Sequence, residues 1–117
     1  MLAVGEHLWG AVDERTRRMA TGLGGGVGRS HEEMCGALSA GVLIIGGLHG
    51  RVVPTEDDSE CHRLVADYRA RFIEALGASH CFELRQNGYG SSGQWPCSIA
   101  VERATRILLD ILAGAQA

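Results

Sequence analysis

The feature that most limits how this chain can fold is the stretch 31–49, whose helical surface would be apolar around most of its circumference. A helix of that kind has to be covered by other elements on nearly every side. Ser30 and Glu33 have the spacing of a capping box, which predicts a helix start at about His31, and Gly50 predicts its end. We therefore expect residues 31–49 to form the central helix of a bundle.

The segments before and after this stretch also show helical spacing. Residues 2–20 predict two short helices with a break near Gly10, and Asp13 is the expected N-cap of the second. The acidic residues 56–58 predict the start of a long helix that ends at Gly77.

Two further helices are predicted in the C-terminal part of the chain. Ser79 is the expected cap of a short helix carrying Cys81, and Pro96 fits the first turn of a last helix carrying Cys97. A glycine-rich loop, residues 87–93, separates them. The expected fold is all-α: one domain over residues 1–117, a compact bundle of five to six helices around the central one.

The glycine-rich turn at residues 22–28 raises the question of a phosphate-binding loop. Such a loop needs Lys followed by Ser or Thr where this chain has Arg29 and Ser30, and it should follow a buried strand. The preceding residues 13–20 predict a helix, and all 11 basic residues of the chain are arginine. The glycines therefore predict a tight, closely packed turn.

Charge and composition exclude several classes of protein. The net charge of -3 gives no basic surface for nucleic acid. Glu6 and His7 interrupt the N-terminal apolar stretch, so a signal peptide is not expected, and the apolar segment 34–48 is too short to cross a bilayer. We expect a cytoplasmic protein that is not an integral membrane protein. In that compartment its 4 cysteines are expected to be reduced, metal-bound or redox-active.

The cysteines do not form a CxxC pair, so the local signatures of zinc ribbons and thioredoxin motifs are absent. Burial as small apolar groups is one interpretation. Cys81 and Cys97 are expected about two residues into a helix, where free N–H groups stabilise a thiolate, and Cys35 is expected one turn into the central helix. Cys61 lies on the apolar stripe of the long helix, which favours core packing. Surface or structural roles are favoured for the histidines.

Three stretches together resemble a known family: "GLGGGVGR", "MCGALSAGVLIIGGLHGR", and the later cysteines in "ALGASHCFEL" and "WPCSIAVERATRIL". Their order is similar to the redox-active protein family named for its C_GCAxxG_C_C cysteine pattern. The similarity runs over nearly the whole chain. Cys35 matches the cysteine of the central Cys-Gly-Ala block, Cys81 the cysteine after "ALG", and Cys97 the one that opens the last helix.

The resemblance implies a redox role and a shared cysteine site. A related domain of split-Soret cytochromes is associated with an iron–sulfur cluster and a dimer, which implies a cluster, [2Fe–2S] being favoured, and a homodimer here. Cys35, Cys81 and Cys97 are the implied ligands. Gly25, Gly26 and Gly36 would let backbone N–H groups approach the sulfurs.

Two departures from the family pattern concern the fourth ligand. The family's first cysteine, upstream of a stretch like "AVGEHLWG", has no counterpart in this chain, and Ala40 stands where the motif has glycine. The fourth ligand is expected from Cys61, from a histidine with His80 nearest, from a second subunit, or from a chain start upstream.

Three alternatives to the cluster remain open. In metal-free thiol–disulfide exchange, Cys81 or Cys97 would attack and Cys35 would resolve the mixed disulfide. Zinc could instead be bound by the three cysteines and one histidine, or the chain could be a structural helical module. The sequence identifies neither a substrate nor the redox partner, and it does not decide whether the protein is an enzyme. If the cysteines share one redox or metal site, Cys35, Cys81 and Cys97 should lie together in the folded protein. We expect His80 to be their nearest neighbour and Cys61 to lie outside the group.

Overall fold

The computed structural model describes residues 1–90 and 93–116, and this part of the chain is helical without a strand, as predicted. Its six helices are α1 (Leu2–Trp9), α2 (Glu14–Thr21), α3 (Gly36–His49), α4 (Ser59–Leu76), α5 (Cys81–Gln86) and α6 (Cys97–Gln116). Two isolated β-bridges, Met34–His80 and Tyr89–Trp95, are the extended pairings between described residues.

Helices α3, α4 and α6 pack against one another in pairs and form the centre of the bundle. The core consists of their apolar stripes together with Val4 of α1 and Leu84 of α5. The expectation of a central apolar helix is thus confirmed in α3, which supplies Leu38, Ile44 and Ile45, each at most 2% exposed.

The predicted start of α3 at about His31 is wrong: the helix begins five residues later, at Gly36 with Cys35 as N-cap. The glycine turn continues in left-handed backbone conformations as far as His31, whose φ is 61°, and a right-handed helix cannot begin there. The Ser30 hydroxyl donates to Gly26 O and accepts from Glu32 N–H, so no capping box forms. Residues 33–35, between the turn and α3, instead pair with residues 79–81 at the start of α5.

The other helix boundaries agree with the sequence with two exceptions. Asp13 caps α2 by accepting from Thr16 N–H at 3.3 Å, and Gly77 ends α4 in a left-handed conformation with φ 91°. Ser79 does not cap α5, because His80 is the N-cap and Ser79 O accepts from Cys35 N–H. Pro96 lies just before α6 rather than in its first turn. Part of the predicted loop 87–93, residues 91–92, lies outside the described residues.

Candidate functional site

A cavity of about 350 Å³ opens between the glycine turn and the starts of three helices, and Cys35, Cys81 and Cys97 all line it. The rest of its wall is mainly apolar, with Leu23, Leu84 and Val101 among the lining side chains. Three cysteines separated by up to 62 positions in the sequence thus face one small volume. The resemblance implied this convergence, which the spacing of the cysteines alone did not predict.

Each of the three cysteines stands at the N-terminal end of a helix. Cys35 is the N-cap of α3, while Cys81 and Cys97 are the first residues of α5 and α6. They are therefore closer to the helix ends than predicted. The positive ends of the α3 and α6 dipoles favour negative charge on these sulfurs; α5, with 6 residues, contributes less.

The three thiols differ in exposure. Cys97 is exposed, whereas Cys35 and Cys81 are half-buried. Burial raises the pKa of Cys35 most strongly, and the charges of Cys81 and Cys97 raise it further. The Cys35 sulfur makes no capping hydrogen bond of standard geometry, yet the N–H groups of Ala37 and Leu38 partly lower its pKa.

The pKa of Cys81 is also raised, chiefly by burial; the charge of Arg85 acts in the opposite direction, and the charge of Cys97 adds a smaller increase. Arg85 is a cationic side chain in the cavity wall. Burial and mutual repulsion therefore oppose negative charge on both sulfurs, and a positive group or a hydrogen-bond donor beside them favours it.

The glycines named from the sequence, Gly25, Gly26 and Gly36, all line the cavity. At Gly26, with φ +60°, an added Cβ would lie 2.5 Å from the Cβ of Cys81, so only glycine allows this approach. The N–H groups of Gly28, Arg29 and His31 donate to carbonyls within the turn itself. In the described structure the turn contacts Cys81 in two ways: the backbone of Gly26 lies against its Cβ, and the ring of His31, the last residue of the turn, lies near its sulfur.

That ring belongs to His31, whose Nδ1 lies 3.2 Å from the Sγ of Cys81. His80, the neighbour predicted from the sequence, is half exposed and its Nδ1 lies 3.7 Å from the Glu83 carboxylate. Sequence reasoning missed His31 because 50 positions separate it from Cys81, and the predicted helix start would have placed it on a helical surface.

Cys61 lies on α4, half-buried against the core and outside the lining of the cavity, in agreement with its place on the apolar stripe. Within residues 1–90 and 93–116, no three His, Cys, Asp or Glu side chains converge closely enough to hold a metal ion. The cavity therefore collects the predicted cysteines without arranging them around one ion.

One wall of the cavity is reinforced by an aromatic cluster that the sequence did not reveal. Tyr89 lines the cavity, and its ring lies 5.2 Å from that of Trp95. The Arg103 guanidinium lies over both rings, at 5.7 and 5.3 Å from their centroids, and donates to the Tyr89 hydroxyl. These cation–π contacts hold Tyr89 and Trp95 against the first turns of α6.

The amino-acid sequence also matches a known protein family. Residues 1–111 match the family model described as "Putative redox-active protein (C_GCAxxG_C_C)". The chain belongs to this family. The family description agrees with the redox role predicted for the cysteines.

The comparisons go no further than the family. No curated protein and no solved structure matches the chain. In the described part of the chain, no helix combines the length and the apolar character that crossing a bilayer requires.

Proposed function

We propose that the protein carries out redox chemistry at the thiols of Cys35, Cys81 and Cys97. The observation that carries the proposal is that these three cysteines, each at the start of a helix, line one apolar cavity. The apolar wall lowers the local dielectric constant and so strengthens electrostatic interactions with the sulfurs. A charge or a hydrogen bond beside a sulfur therefore shifts the balance between the oxidised and reduced states.

An iron–sulfur cluster is the first form that the site could take. Cys35, Cys81 and Cys97 would hold it, because thiolates are the soft anionic ligands that such clusters require, and it would supply electron transfer. A cationic metal centre would also offset the burial and the repulsion that together raise the pKa of Cys35. The ligand type therefore fits, but the side chains are not preassembled around one ion. A fourth ligand is still needed.

The fourth ligand leads us to propose a homodimer. Cys97 is exposed and Cys61 lies outside the cavity lining, so a second copy placed over Cys97 is better situated to complete the site than Cys61 is. We also propose a cytoplasmic location, since reducing compartments keep thiols free. Light scattering of the protein with and without iron tests the assembly. A monomer under both conditions contradicts the dimer.

Metal-free thiol–disulfide exchange is the second candidate, favoured by the contact of His31 with Cys81 and by the difference in exposure of the thiols. The exposed Cys97 thiolate would attack an external disulfide, forming a mixed disulfide and releasing one thiol. Cys81 or Cys35 would then displace the second thiol. The protein gains one disulfide as the external disulfide gains two electrons and two protons.

Anaerobic purification followed by iron, zinc and acid-labile sulfide analysis and a count of free thiols separates these forms. Iron with sulfide and visible absorbance that dithionite bleaches supports the cluster. Metal-free protein that loses two thiols on mild oxidation supports exchange. Serine replacement of any one of Cys35, Cys81 and Cys97 should abolish the cluster signal. Replacement of Cys97, or of Cys35 and Cys81 together, should abolish exchange, whereas Cys61→Ser, the matched control, should retain both signals. Protein that shows neither signal contradicts the proposed function.

A further inference from the structure

The contact between the His31 ring and the Cys81 sulfur joins two parts of the chain that meet only in the folded protein. The Nδ1–Sγ distance of 3.2 Å is within hydrogen-bonding range for sulfur. Imidazole Nδ1 accepts from a protonated thiol and, as Nδ1–H, donates to a negatively charged sulfur.

The backbone fixes both partners of this contact. His31 adopts a left-handed conformation with φ 61°, and its N–H donates to Gly25 O at 3.0 Å. On the other side, Cys81 N–H donates to Glu33 O at 2.8 Å. Because Gly26 lies against the Cys81 Cβ, the turn cannot move toward α5 or away from it without breaking one of these contacts.

A second backbone hydrogen bond holds the same two segments together. Cys35 N–H donates to Ser79 O at 2.8 Å, and Met34 pairs with His80 in an antiparallel bridge. The segment that carries His31 is thus pinned to the first turn of α5 at two points. Val27 and Arg29 share the left-handed conformation of His31, so what distinguishes His31 is the 3.2 Å contact of its ring with the sulfur of Cys81.

We propose that His31 is a positioning residue that raises the midpoint potential of the cysteine site by donating a hydrogen bond from Nδ1 to the Sγ of Cys81. This assignment rests on the proposed redox function. Reduction places more negative charge on sulfur in both forms of the site: a disulfide becomes thiol and thiolate, and an iron–sulfur centre becomes more negative. An N–H donor stabilises the reduced state in either case, and hydrogen bonds to sulfur are among the determinants of the potential.

Redox titration of the purified full-length protein tests this role, followed by visible absorbance for a cluster or by thiol counting in glutathione buffers for a disulfide. His31→Leu removes the donor, and we expect about a tenfold shift toward the oxidised form, equal to about 30 mV for a two-electron couple or about 60 mV for a one-electron couple. His31→Asn keeps a donor near the Nδ1 position and tolerates the left-handed backbone, so it should retain the midpoint. His62→Leu, on the exposed side of α4, is the control.

A midpoint in His31→Leu equal to that of the wild type overturns the role of His31. Because leucine is poorly suited to a left-handed conformation, His31→Gly removes the ring without that cost and should shift the midpoint in the same direction. Nitrogen NMR of the wild-type imidazole gives an independent reading: Nδ1 should be protonated in the reduced state, and an unprotonated Nδ1 there contradicts the proposal. Wild-type protein without any redox couple overturns the proposed function itself.

Discussion

Gly41 of α3 lies directly against the ring of Tyr68 of α4, so closely that a Cβ at this position would overlap the ring. Tyr68 is 1% exposed, and its hydroxyl donates to Ala37 O at 3.0 Å, one turn before Gly41. The hydrogen bond and the burial hold the ring in this position against α3. This contact sets the distance between the two helices next to the cysteine cavity.

Replacing Gly41 by alanine should therefore destabilise the protein, by about 1–3 kcal/mol, because overpacking outweighs the better helix propensity of alanine. Gly46→Ala is the matched control in the same helix, since an added Cβ there meets nothing within 4 Å. It should be neutral or stabilise by up to about 1 kcal/mol. Urea denaturation measures both. Equal stabilities of the two variants would contradict the tight contact between α3 and α4.

Gly26→Ala and Gly28→Ala form a second matched pair. Both glycines have left-handed backbones, with φ +60° and +61°, but only at Gly26 does an added Cβ meet Cys81. We expect both variants to lose about 1 kcal/mol of stability from backbone strain. Gly26→Ala alone should also displace Cys81 and change its rate of alkylation. If Gly28→Ala changes that rate equally, the effect comes from strain in the turn and not from contact with the cysteine.

The exposure of the cysteines predicts an order of chemical modification. Iodoacetamide should modify Cys97 first, because it is exposed, and Cys35 last, because burial and the neighbouring thiols raise its pKa. Peptide mass spectrometry after short reaction times measures this order in reduced, metal-free protein. Modification of Cys35 before Cys97 would contradict the position of Cys35 in the cavity wall.

Stability should fall at alkaline pH because of the same cysteine. The pKa of Cys35 is raised in the folded state, so the unfolded chain loses this proton first as the pH rises above about 8.5. The unfolded state then binds fewer protons than the folded state, and the free energy of unfolding decreases with pH. Below that pH the contribution is fully present.

Urea denaturation between neutral and alkaline pH measures this dependence. Cys35→Ala should show a shallower loss of stability than the wild type, and Cys61→Ala should show the wild-type slope. Part of the alkaline loss should persist in both variants, because burial also raises the pKa of Tyr68. A Cys35→Ala slope identical to that of the wild type would contradict the raised pKa of Cys35.

Local signals in the sequence were sufficient for most of the fold. Asp13 and Gly77 mark helix ends through their own backbone and capping preferences, and the apolar stripes of α3, α4 and α6 identify the core. The start of α3 was misplaced because Ser30 and Glu33 have capping-box spacing, whereas a long-range pairing with residues 79–81 determines their conformation. Local rules cannot detect such a pairing.

The sequence indicated which cysteines line the cavity but not which other side chains contact them. Family resemblance identified Cys35, Cys81 and Cys97, but the partner of Cys81 had to be found in the structure, because adjacency in sequence pointed to His80. The ring of His80, adjacent to Cys81 in the chain, lies beside Glu83, whereas the ring of His31, on a distant turn, contacts the sulfur. Arg85, one turn after Cys81 in α5, and Tyr89, just after that helix, also line the cavity.

The two hydrogen bonds between residues 33–35 and 79–81 have a consequence for the order of folding. They close a loop that contains α3 and α4, and contacts so distant in sequence form late, after the intervening helices have paired. Until then the cysteines of a newly made chain are separated and available to any oxidant. Correct assembly of the site therefore requires that the chain complete its fold with every thiol still reduced, and early oxidation would trap misfolded chains.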